Sequence, residues 1–137
     1  QAGMNLTLSR VSWNDTAAAI LAPVCADDPA GLADVEIQVQ TGAASLFKVD
    51  SPNRLVGFYV VRIDQTANGD DLVIIAGAGR LPGVNLMAVM LPTFEAQAAM
   101  SDCNAVRIHT NRRGMVKQIA RRGYRFAEWV FRKEISQ

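Results

Sequence analysis

Three stretches of alternating or continuous apolar character follow one another in the middle of the chain, residues 44–50, 55–65 and 72–77, with no room between them for a helix. Ser51-Pro52-Asn53-Arg54 separates the first pair, and a segment holding Asn68-Gly69 separates the second. Runs of this length bounded by turn residues read as strands, and connections this short permit only antiparallel neighbours. A three-strand meander is therefore the frame against which everything else must pack.

The flanks supply the cover. Residues 5–11 alternate like a short strand, and Ser12 or Asn14 caps an alanine-rich helix over 15–26. Residues 32–41 fit a strand or a helix by periodicity; we read a helix, with Gly42 as its stop. After the meander, 86–100 reads as a helix in which Pro92 bends the axis or marks the true start. A strand over 105–109, a helix over 112–122 ended by Gly123, and a strand over 126–133 complete the chain. The expected fold class is α/β in its α+β form: a mixed, mostly antiparallel sheet of about six strands flanked by about four helices. Its order is strand, two helices, three strands, helix, strand, helix, strand. The helix between the fourth and fifth strands is long enough to return the chain parallel.

Half of the 137 residues are hydrophobic, enough for one core, and no linker or repeat divides them. We expect a single domain over 4–137, with Gln1-Ala2-Gly3 a remnant ahead of a native start at Met4. No secretory pattern follows, so a cytoplasmic location is expected. The longest apolar runs are too short to cross a bilayer, so no membrane partner is expected. Two cysteines, Cys25 and Cys103, and one histidine, His109, form no disulfide framework and no metal-ligand spacing.

Charge is unevenly spread. Residues 1–104 sum to −6 and residues 105–137 to +7. A basic third of this kind faces an anion, whether a phosphorylated cofactor, a nucleic acid or the acidic part of a second copy, or else is a solvated helix face.

The stretch from Ala76 to Asn85, Ala-Gly-Ala-Gly-Arg-Leu-Pro-Gly-Val-Asn, lies between an apolar strand and a helix start. Small residues at a strand end let a ligand approach the backbone. A loop that opens a helix offers outward N–H groups and the positive end of a dipole to phosphate oxygens, and Arg80 adds a cation. A structural turn with no ligand reads the same way.

Arg80 to Asn85 resembles the pyrophosphate loop of the GNAT superfamily of N-acetyltransferases, Gln/Arg-x-x-Gly-x-Gly/Ala, and sits where that family has it, between the fourth strand and third helix. The likeness runs through Val106-Arg107-Ile108-His109-Thr110 to Gly123-Tyr124, covering about residues 44–133 by order and motif. It implies acyl transfer from acetyl-coenzyme A, or another acyl-coenzyme A, to an amine. Fourth and fifth strands would part, Ala76, Gly77 and Ala78 would face pantetheine, and Arg80, Gly83, Val84 and Asn85 would cradle the pyrophosphate. Asn111 would also belong to the cofactor site, and Arg112 would reach the adenosine phosphate or a nucleic-acid backbone. A backbone N–H between Gly77 and Gly79 would stabilise the oxyanion.

The sequence departs from the family at three places. Asn85 replaces the final Gly or Ala, Asn111 is one residue off the family's asparagine, and Ile119 stands where many members have a tyrosine acid. His109 reads as a general base or as a structural residue, and Glu36 and Asp34 as alternative bases or solvated carboxylates. Two other readings follow from the same features. One is a catalytically inactive GNAT-fold assembly protein, a homodimer completed through its C-terminal strand; the other is a phage-like relative that binds or modifies nucleic acid.

Overall fold

The computed structural model describes residues 5–25 and 31–109, and the following concerns those residues. They form β1 (Thr7–Val11), α1 (Asp15–Cys25), α2 (Gly31–Thr41), β2 (Ser45–Ser51), β3 (Arg54–Thr66), β4 (Gly69–Gly79), α3 (Leu86–Met100) and β5 (Ala105–Ile108). The order matches the expectation through β5. The anticipated helix over 112–122 and strand over 126–133, with Asn111, Arg112, Ile119, the homodimer edge and most of the basic third, lie outside the described residues.

Local chemistry accounts for the helix ends. Asn14 caps α1, its Oδ1 accepting from the Ala17 amide at 2.9 Å. Gly42, at φ +85°, ends α2 in the left-handed conformation that glycine adopts without a Cβ penalty. α3 continues through Pro92, and the Thr93 hydroxyl donates to the Val89 carbonyl within it.

The sheet runs β1-β2-β3-β4-β5, antiparallel throughout except for the parallel β4–β5 pair. One face packs on α3, through Val49, Tyr59, Leu72, Ile74, Leu91 and Phe94; the other packs on α1 and α2, through Leu46, Phe58, Val60, Leu21 and Val35. Burying these apolar side chains on both faces contributes about 25 cal/mol per Å² removed from water, the main force holding the layers together.

The meander's turns differ in detail from expectation. Thr66 pairs with Gly69, so the two-residue loop is Ala67-Asn68, and Gly69 alone takes positive φ, at +117°. Asn104, ahead of β5, donates from Nδ2 to the Asn68 carbonyl at 2.6 Å and so ties this turn to the next crossover.

Two irregularities break the strict alternation. Val49 pairs with Gly57 but Asp50 with Leu55, leaving Val56 as an extra residue in β3; Val60 pairs with Ala76 but Val61 with Ile74, leaving Ile75 as an extra residue in β4. An extra residue exchanges the faces that later side chains meet. Leu72 and Ile74 thus join the α3 core, whereas Ile75, Ala76 and Ala78 all lie with the α1/α2 core. Gly77 and Gly79 are thereby turned to the α3 side, where a Cβ on Gly79 would stand 3.2 Å from Leu86 Cδ2.

Candidate functional site

The parallel β4–β5 pairing is short. It runs over four rungs, from Asp71 with Ala105 to Ile74 with Ile108, and closes with the His109 amide donating to the Ile74 carbonyl at 3.0 Å. β4 continues for five more residues to Gly79, paired only with β3 among the described residues. Among the described residues, β4 therefore has no outer partner along Ile75–Gly79, at its bulged and glycine-containing end. His109 is the last described residue of this pairing, with its side chain exposed.

Beyond Gly79 the chain turns into α3 through a defined loop. The Arg80 amide donates to the Val56 carbonyl at 2.9 Å, keeping the loop's first residue on β3. The Val84 amide donates to the Leu81 carbonyl at 3.1 Å, closing a turn with Pro82 and Gly83 at its centre. Gly83 has φ +78°, as the third position of a type II turn requires, and proline suits the second. A Cβ on Gly83 would meet nothing within 4 Å, so the loop's outer surface is open.

Asn85 is the N-cap of α3, extended at φ −77°, ψ 97°, and its Oδ1 accepts from the Ala88 amide at 3.3 Å. Where the family has Gly or Ala, Asn85 thus adopts an ordinary extended conformation, and its side chain serves the helix. Among the described residues, no acceptor stands on the amides of Gly83, Asn85, Leu86 or Met87. Leu86 and Met87, first residues of the helix, are the amides that sequence reasoning missed; the signal was the position of Asn85 as a cap, since the next two N–H groups of any helix lack an internal partner.

Arg80 is exposed and makes no ion pair with a described carboxylate. Its guanidinium and four amides without a described acceptor give the loop a net attraction for an oxyanion of phosphate type. Ala76, Gly77 and Ala78 leave little side-chain bulk beside it. The structure thus brings Ala76, Gly77, Ala78, Arg80, Gly83, Val84 and Asn85 into one continuous strand end and loop.

Of the proposed bases, His109 follows β5 at the end of the described pairing, and Glu36 and Asp34 lie on α2. Glu36, on α2, accepts from Gln40 Nε2 at 3.1 Å one turn along, and Asp34 accepts from Gln38 Nε2 at 2.8 Å. Both are helix-surface pairs. The described residues contain no group of three or more potential metal ligands, and no described helix is long and apolar enough to cross a membrane. A concavity of about 530 Å³ lined by Arg10, Trp13, Gln40 and Leu46 lies on the β1–β2 side of the sheet, away from β4 and the loop.

Among the described residues, a mixed five-stranded sheet with one short parallel pair lies beside a helix whose leading amides have no acceptor, and together they define an α/β domain. Among solved structures, the chain is similar to a transcriptional regulator from Bacillus halodurans C-125 (TM-score 0.67, 12% identity, covering 96% of this chain and 100% of that one). It is similar also to a Bacillus subtilis acetyltransferase in complex with CoA (TM-score 0.69, 13% identity, 89% and 76% covered). A third is the ribosomal-protein-alanine N-acetyltransferase of Brucella melitensis biovar Abortus 2308 (TM-score 0.64, 13% identity, 97% and 99% covered). By sequence, no family model and no curated protein matches. The fold is that of the GNAT superfamily.

Proposed function

We propose that the chain transfers an acyl group, acetyl in the first instance, from acyl-coenzyme A to an amine. The observation that carries this reading is that, among the described residues, β4–β5 pairing goes no further than Ile74 while β4 runs on to Gly79 and into a loop with four unclaimed amides. Pantetheine would lie along Ile75–Gly79 as a substitute strand, its amides meeting the unpaired edge of β4. Arg80 and the amides of Gly83, Asn85, Leu86 and Met87 would hold the diphosphate at the mouth of α3. The resemblance in sequence and the solved structures with coenzyme A bound support the same reading.

The chemistry follows from that placement. The amine nitrogen attacks the thioester carbonyl carbon, and the developing oxyanion takes a hydrogen bond from a main-chain N–H between Gly77 and Gly79. The carbon–sulfur bond then breaks and the thiolate departs, while the nitrogen loses its proton to His109 or to water. With Ile119 in the position of the family's tyrosine, the thiolate leaves without a dedicated acid, at modest cost for a thiol of pKa about 8.5.

The test is calorimetric and chemical. Acetyl-coenzyme A at about a hundred times its dissociation constant stabilises a specific binder by about 2.7 kcal/mol, a clear rise in melting temperature. No rise at millimolar ligand overturns the reading. A rise without thiol release across a panel of primary amines leaves the binding half standing and favours the inactive GNAT-fold alternative.

A further inference from the structure

On the α1/α2 face, two arginines from strands on either side of β4 converge on a single carboxylate. Arg62 of β3 donates from Nε to Asp64 Oδ1 at 2.7 Å and from Nη2 to Oδ2 at 3.1 Å. Arg107 of β5 donates from Nη2 to the same Oδ2 at 2.6 Å, and its Nε lies 3.4 Å from Asp71 Oδ2 of β4. In the register, Arg62, Val73 and Arg107 form one row across β3, β4 and β5, and Asp64, Asp71 and Ala105 form another two residues away. Asp64 therefore reaches diagonally across β4 to hold a residue two strands away. Val73, between the arginines in the row, is fully buried.

The location of this clamp gives it meaning. Arg107 stands one rung below Ile108, the last paired residue of β5, so the clamp sits at the root of the opening between β4 and β5. β5 has only four residues, pairs in the parallel sense and carries no other described strand on its outer side. On the α3 face, Val106 and Ile108 pack into the core. On the opposite face, Arg107 lies between exposed Ala105 and exposed His109 and makes its ion pairs to Asp64 and Asp71. The chain of contacts also extends outward: Arg62 Nη1 donates to Gln38 Oε1 at 3.1 Å, and Gln38 donates to Asp34, both on α2.

We infer that Asp64 is a positioning residue for the acyl-coenzyme A site: by joining Arg62 and Arg107 it fixes where β5 leaves β4, and so the width of the opening in which pantetheine lies. The inference rests on the function proposed above. Replacing the carboxylate by an amide leaves two guanidinium groups close together with one fewer anion between them, and the root of the opening loosens. The loop at the head of α3 shares no residue with the clamp and keeps its amides.

The prediction is a split between two ligands. Binding of acetyl-coenzyme A and of its nucleotide half, 3′-phosphoadenosine 5′-diphosphate, is measured by titration calorimetry on the full chain, wild type and Asp64→Asn. Couplings through packed ionic networks change affinity by about ten-fold, so Asp64→Asn weakens acetyl-coenzyme A by about that factor and leaves the nucleotide half unchanged within two-fold. Arg107→Lys keeps the charge but loses the forked contact, giving the same split at about three-fold, and decides the matter if Asp64→Asn does not fold. Equal weakening of both ligands, or unchanged affinity for acetyl-coenzyme A, overturns the inference while the proposed function stands. Failure of the wild type to bind either ligand overturns both.

Discussion

Gly57 and Gly79 face each other across β3 and β4 with their backbones in contact: a Cβ on Gly57 would collide with the Ala78 carbonyl oxygen and stand 2.6 Å from the Gly79 Cα. The approach is what lets the Arg80 amide reach the Val56 carbonyl and start the loop there. Gly57→Ala therefore forces the strands apart and costs about 3 kcal/mol, the upper end of overpacking penalties. Urea unfolding measures it; a loss below about 0.5 kcal/mol would mean that the strands part freely at this point.

Asn85 separates a helix-capping role from a ligand-binding one. Asn85→Ala removes the acceptor on the Ala88 amide and costs about 1 kcal/mol in stability, whereas Asn85→Gly costs only a few tenths. In Asn85→Gly the Ala88 N–H keeps its bond to the main-chain carbonyl of residue 85, at 3.1 Å in the wild type, and the other loop amides are untouched, so acetyl-coenzyme A binds that variant at least as tightly as the wild type. Weaker binding with stability retained would show that the Asn85 side chain itself touches the ligand.

Arg80 carries the one cationic side chain of the loop. Arg80→Ala removes a charge-assisted contact of about 1.5–3 kcal/mol and so weakens acetyl-coenzyme A by ten-fold or more. Its exposed side chain makes no described ion pair, and the melting temperature of the free protein stays unchanged. An affinity that does not move places the phosphates elsewhere.

Tyr59 predicts an alkaline limb. Its hydroxyl donates to Gln97 Oε1 at 3.0 Å, its ring stacks on Phe47 and meets Phe94 edge-on, and burial pushes its pKa up to about 12 from 10.0. A raised folded-state value means that the stability is whole below pH 10 and is lost as pH climbs toward 12. At about 1.4 kcal/mol per unit the loss is on the order of 3 kcal/mol. Tyr59→Phe removes this part of the alkaline limb while losing the hydrogen bond, worth about 1 kcal/mol at neutral pH. An unchanged alkaline limb in that variant would assign it to another group.

Asp64 predicts the opposite limb. Hydrogen bonding from Arg62, with further attraction from both arginines, holds its carboxyl below the ordinary value of 3.8 against the opposing effect of burial. A lowered folded-state value gives stability that is present above the ordinary carboxylate range and is lost as pH falls through the folded value. Stability of Asp64→Asn should therefore fall less between pH 5 and pH 2 than that of the wild type. Parallel acid limbs in the two proteins would remove Asp64 from the acid response.

The elements were legible because their signals are local. Asn14, Gly42, Pro82-Gly83 and the three apolar runs each specify a cap, a stop, a turn or a strand within a few residues, and the order of elements through β5 follows from them. The strand-end and loop residues from Ala76 to Asn85 were legible for the same reason: they are contiguous. The Asp64 clamp was not, since Asp64 and Arg107 lie 43 positions apart and meet only once β5 is laid beside β4. Nor were the extra residues at Val56 and Ile75, because a bulge is a property of paired strands and neither residue carries a turn signature. The hydrogen bond that Gln40 donates to Glu36 was legible too, since residues four apart on one helix are neighbours.

The surplus residue at Ile75 works as a phase shifter. Upstream of it, even-numbered side chains of β4 fill the α3 core; downstream, even-numbered side chains point the other way and glycines take their place above Tyr59 and beside Leu86. The register against β3 therefore fixes the faces downstream: deleting Ile75 would remove the bulge and leave Ala76 opposite Val60 and Gly77 opposite Tyr59, so the glycines would stay on the α3 side. One residue added between Ala76 and Gly77 without a matching bulge would instead send both glycines to the α1/α2 side, with the composition of the segment almost as it was.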